Sequence, residues 1–211
     1  MTDAKDLKEA SIVLLAQNFN PSIFNPHWLI TKGVIKEENI KFEQSSFTPK
    51  EVRILTDTFE MIVLQDRLLI NYLPNEEVME AVIQNLMHHI FNLLPEVPYM
   101  AMGINFKWEI NINNQYFSTL NKRLLNEENP FLKYFPSENS LYGINLNNQF
   151  LDSLQNFTLQ PFINETQSGV VGIFNYHFDV SLIIEKVHHL AKAINDMTKY
   201  YTQSKKIMEC V

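Results

Sequence analysis

YMAMGINFKWEI, residues 99–110, places an apolar side chain at every second position. Met100, Met102, Ile104, Phe106, Trp108 and Ile110 alternate with Tyr99, Ala101, Gly103, Asn105, Lys107 and Glu109. In an extended chain successive side chains point to opposite faces, so this period of two predicts a half-buried strand. Lys107 and Glu109 then point away from the greasy face.

Helices are predicted on both sides of this strand. LMHHIFNLL at 86–94 precedes it, and KVHHLAKAI at 186–194 repeats the histidine pair one hundred positions later. Ile83, Met87, Ile90 and Leu94 align with Ile183, Val187, Leu190 and Ile194, in the steps of four and three that mark an apolar helix stripe. The pairs His88–His89 and His188–His189 sit behind these stripes. Adjacent helical side chains diverge by about 100°, so neither pair grips one ion from a single helix. The pairs read as polar-face residues carried along by a duplication.

The segments ahead of these helices match in order. SIVLLAQNF at 11–19 is a strand ending in Asn-Phe, as the 99–110 strand runs through Asn105-Phe106. In NPHWLITKG, Asn25 caps a short helix, Pro26 fits its first turn and Gly33 suits the position past its end. NQYFSTLNKRLL at 114–125 fills the same place in the second copy. Three strand-like runs follow each time: VRILTD, FEMIVLQ and RLLINYLP, with Gln65-Asp66 as a hairpin connection, then LYGINLN, NFTLQPFI and GVVGIFNYHFD. Each set leads into a long helix, opened near Asn75 and near Asp179 or Ser181. The second copy carries extra residues, assigned to 126–139. The expectation is an α+β fold in one domain, residues 1–211. In it two pseudo-symmetric β-α-β-β-β-α repeats, 11–94 and 99–194, form an antiparallel sheet packed against two long helices, with a helical extension at 195–211.

Composition narrows the function classes. The 211 residues are 45% hydrophobic and 12% aromatic, ample for a core. A net charge of −7 argues against a general nucleic-acid or anionic-membrane surface. The single cysteine, Cys210, excludes a disulfide framework and a multi-cysteine zinc site. The charged start MTDAKDLKEA lacks a signal-peptide core, and no window has the roughly 18 apolar residues of a membrane span, so a cytoplasmic location is expected. Abundant Asn and Ile with only 5 Gly suggest an AT-rich coding region.

Several stretches together resemble a sporadically distributed group of uncharacterised bacterial proteins. They are the first strand ending in Phe19, the NPHWLITKGVI stretch at 25–35, the meander FEMIVLQDRLLINY, and the closing helix VHHLAKAINDMTKYYTQSKKIM. The resemblance implies no reaction, cofactor or catalytic residue. It implies an association of some such genes with mobile or phage-defence loci.

Chemistry-bearing motifs are sparse. Phosphate-binding glycine loops, GxSxG and HExxH do not occur, and SGVVG at 168–172 opens a strand rather than a helix. No catalytic residue, cofactor or metal is expected. The leading reading is a non-catalytic interaction or regulatory subunit of a bacterial defence or toxin-type operon, binding another protein subunit, itself, or both. Its expected partner surface is Phe24 and Trp28 on the first short helix with Met197, Tyr200, Tyr201 and Met208 at the end of the last one. A helix from 181 to about 206 would be about 39 Å long and would overhang a sheet about 25 Å wide. A chain ending at Asp196 is then expected to stay folded and lose its partner. The alternative is an effector-binding sensor with Glu60, Glu109 and His177 lining a cleft between the repeats. A hydrolase using His177 or the histidine pairs ranks last.

Overall fold

The computed structural model describes residues 5–112, 141–163 and 168–211. The expected short helix at 114–125 and the extra residues at 126–139 lie outside them. In chain order the elements are β1 (Lys5–Ala16), α1 (Pro26–Thr31), β2 (Ser46–Phe47), β3 (Val52–Leu55), β4 (Phe59–Val63) and β5 (Arg67–Tyr72). Then come α2 (Glu76–Val78), a π-turn at Met79–Ile83, α3 (Gln84–Leu93), β6 (Tyr99–Asn111), β7 (Ile144–Phe150), β8 (Ser153–Ile163), β9 (Ser168–Asp179), α4 (Lys186–Asn195) and α5 (Met197–Glu209). The strands form one antiparallel sheet in the order β2-β3-β4-β5-β1-β6-β9-β8-β7. The fold is therefore α+β.

Local chemistry sets the boundaries where the sequence marks them. The Asn25 side chain accepts from the Trp28 N–H at 3.0 Å, Pro26 opens α1, and Gly33 takes the left-handed conformation at φ 66°. Asn75 caps the long helix by accepting from the Val78 N–H at 2.7 Å. Asn75→Ala is expected to cost about 1 kcal/mol in urea unfolding.

The strand at 99–111 lies at the centre, between β1 and β9. Its alternation holds from Met102 to Ile110 and fails at the start. Tyr99 is fully buried, whereas Met100 is 40% exposed. A β-bulge is the reason: Leu15 pairs with Ala101 but the next residue, Ala16, pairs with Tyr99, so Met100 is the extra residue. One inserted residue reverses which side chains face inward. A second bulge at Lys8, between Leu7 and Glu9, brings Leu7 opposite the buried Trp108.

The inner face of the sheet meets α3, α4 and α5. Phe91 packs edge-on against Tyr99, and Leu86, Met87 and Ile90 are buried beside it. The closing segment differs from the expected single helix. Residues 181–185 form turns, held by Asp179 accepting from the Ser181 N–H and hydroxyl, and the helix starts at Lys186. It then breaks at Asp196, so α5 turns onto the sheet instead of overhanging it. Met197, Tyr200 and Met208 are at most 1% exposed. Tyr200 sits among Tyr176, Phe178 and Phe150, and Tyr201 stacks on Trp108 at 5.8 Å. The Trp108 indole N–H donates to the buried Ser204 hydroxyl at 3.0 Å. Ser204→Ala leaves that donor without a partner and is expected to cost about 1–3 kcal/mol by urea denaturation.

Candidate functional site on the open face of the sheet

Because Phe106, Phe174, Phe157, Ile12, Ile70 and Met61 point inward, the residues between them stand on the opposite face, which is open among the described residues. Cross-strand register lines these outward residues into rows. One row is polar across seven strands: Asn147, Asn156, Asn175, Asn105, Ser11, Asn71 and Glu60 are successive pair partners from β7 to β4. Hydrogen bonds join their side chains in two runs, from Asn156 to Ser11 and from Asn71 to Glu60. Asn156 Nδ2 donates to Asn175 Oδ1 at 3.2 Å, Asn175 Nδ2 to Asn105 Oδ1 at 2.7 Å, and Asn105 Nδ2 to Ser11 Oγ at 3.2 Å. Beyond Ser11, Asn71 Nδ2 donates to Glu60 Oε2 at 3.1 Å, and Glu60 also takes Arg53 as an ion pair. Gly103 keeps the row closed, since a Cβ there would stand 3.0 Å from the Asn175 amide nitrogen.

The next row is mainly apolar. Arg53, Ile62, Leu69, Val13, Gly103, His177, Leu154 and Gln149 are successive partners across eight strands. Leu154 is 45% exposed, and Ile173 on the other side of the polar row is 40% exposed. Past one end of the face, the Asp179–Lys186 turn holds Leu182 and Ile184 almost entirely in solvent.

The expected cleft residues Glu60, Glu109 and His177 all stand on this face, on β4, β6 and β9, but not around one cavity. Glu60 is held by Arg53 and Asn71, and Glu109 lies 3.9 Å from Lys107. His177 lines a depression of about 210 Å³ over Gly103 and Ala101. A larger cleft of about 460 Å³ lies at the Lys8 bulge, lined by Glu9, Ser11, Thr56, Glu60, Asn71 and Tyr72 among others. Among the described residues the buried Tyr72 hydroxyl has no hydrogen-bond partner, and burial raises its pKa well above the ordinary tyrosine range. Lys107 is raised by its hydrogen bond to Glu9 at 2.6 Å, and Asp179 is lowered by the hydrogen bonds from Ser181.

The expected partner surface is placed elsewhere. Phe24, Met197, Tyr200 and Met208 are core residues, while Trp28 and Tyr201 are half-buried against that core. The histidine pairs lie on helix surfaces. His88 Nε2 meets Asn195 Oδ1 at 2.8 Å, tying α3 to α4, and His89 bonds its own helix at the Asn85 carbonyl. Among the described residues, no group of three or more His, Cys, Asp and Glu side chains could hold a metal ion. None of the helices described is long and apolar enough to cross a membrane.

The asparagine row was missed by motif reading, because its members lie far apart in sequence and only strand register assembles them. Chemically the row offers amide donors and acceptors in a line, beside an apolar row, with ionic groups paired within the face. No protein-family model matches the chain, and no curated protein matches it.

Proposed function

We propose that the chain is a non-catalytic interaction subunit of a bacterial defence or toxin-type locus, and that it docks partners on the open face of its sheet. One observation carries the reading: an apolar row and a hydrogen-bonded polar row run side by side across that face. Interfaces combine these two kinds of surface, whereas single exposed hydrophobics occur on any protein. We also read the chain as two copies of one unit. In support, β5, β4 and β3 follow outward from β1 as β9, β8 and β7 do from β6, and each series is followed by a helix bearing a histidine pair.

Affinity purification of the tagged full chain from its native cells tests the proposal. A companion, an untagged copy of the chain or another protein, should be recovered in stoichiometric amount and lost with Ile173→Glu, while Leu146→Glu on the helix-bearing face retains it. A companion lost with Leu146→Glu alone would place docking elsewhere. A second reading, a small-molecule sensor, draws on the 460 Å³ cleft and the Tyr72 hydroxyl, which has no partner among the described residues. Its volume is within the range of ligand sites, but its carboxylates Glu9 and Glu60 are already engaged by Lys107 and Arg53.

A further inference from the structure

We infer that the open face of the sheet docks on the same face of a second copy, giving an isologous dimer. This rests on the proposed interaction role and names the partner.

Three properties of the face fit a second copy. The first is charge. The chain carries −7 overall, so two copies repel unless they meet on a neutral surface. Away from the two ends of β6, cations on this face have anionic neighbours: Arg53 with Glu60, Lys107 with Glu9, and Arg67 with Asp66. The surplus acids stand at those ends, Glu109 opposite Asp6 at one and Asp179 at the other, so approach over the middle juxtaposes few unmatched charges.

The second is self-complementarity. In a two-fold interface a patch must match itself. Carboxylate or lysine rows fail that condition, but an amide both donates and accepts. The four asparagines from β6 to β7 can therefore meet their own image, and the apolar row Ile62, Leu69, Val13 and Leu154 can do the same.

The third is area. Nine strands about 4.8 Å apart make a sheet roughly 40 Å wide, but β2 to β5 are only two to six residues long, so the face covers on the order of 1,100 Å². Overlap of about three quarters of it hides on the order of 800 Å² per copy, the size of a standard stable interface. Met100, pushed outward by its bulge, adds a flexible apolar side chain at one end.

Sedimentation velocity on the full chain, from low-micromolar to high-micromolar concentration, tests the inference. A monomer–dimer equilibrium is expected. Leu154→Glu with Ile173→Glu buries two carboxylates and should raise the dissociation constant at least about tenfold. Leu146→Glu, which faces the helices opposite Phe157, should leave it unchanged. Both sites are well exposed, so circular dichroism should remain native, and Thr158→Arg on the same face serves as an independent second variant. A chain monomeric throughout the range overturns the inference, as does a dimer disrupted by Leu146→Glu and indifferent to the open-face changes. If the chain is monomeric yet loses its native companion with Ile173→Glu, the interaction role stands and only the identity of the partner fails. A dimer that does not respond to open-face variants, together with a companion equally indifferent, removes both.

Discussion

A chain ending at Asp196 is expected to lose cooperative folding altogether. Truncation there deletes Met197, Tyr200 and Met208, each fully buried, and removes the Ser204 hydroxyl from Trp108. Burial of each large side chain is worth about 1.5–3 kcal/mol. The deletion also uncovers Phe106, Trp108, Tyr176 and Phe178, which pack against α5. Domains of this kind are stable by only about 5–15 kcal/mol, so the loss rivals the whole stability. Thermal unfolding followed by near-ultraviolet circular dichroism should show no sharp transition. A native-like transition would mean that α5 is an appendage, as the length of the helix alone suggested.

Tyr200→Ala is expected to be the most damaging single substitution in α5. The ring lies 4.9 Å from Tyr176 and 5.5 Å from Phe178 between centroids, and its removal leaves a hole that those rings cannot fill from their places in β9. Large-to-small changes of aromatic core residues cost about 3–5 kcal/mol. At roughly 2–4 °C per kcal/mol for a chain of this size, the melting temperature should fall by on the order of 10 °C. Tyr200→Phe should recover most of that loss. If the alanine variant melts within a degree or two of the parent, the aromatic cluster is not what seats α5.

The structure separates what sequence patterns express from what they do not. Period-two alternation placed the central strand, and the asparagine caps at Asn25 and Asn75 placed two helix starts, because both signals are local. The bulge that ejects Met100 was not legible, since it exists only in register with Leu15 and Ala16 some eighty-five residues earlier. The break at Asp196 was hidden for a different reason: the apolar stripe continues through Met197 and Tyr201 without interruption, so periodicity alone reads one helix. Reading one helix put the core residues Met197, Tyr200 and Met208 on the expected partner surface. The asparagines of the polar row come from five strands and needed the strand order before they could be seen as neighbours.

Covering of the open face is the central claim, and hydroxyl-radical footprinting reads it directly. The full chain is oxidised once when dilute and once at assembling concentration, and modification of Met100, Leu154, Ile173 and Leu146 is followed by mass spectrometry. Oxidation of Met100, Leu154 and Ile173 is expected to slow several-fold in the assembled protein, with Leu146 unchanged. Protection of Leu146 with undiminished oxidation of the other three would contradict the account.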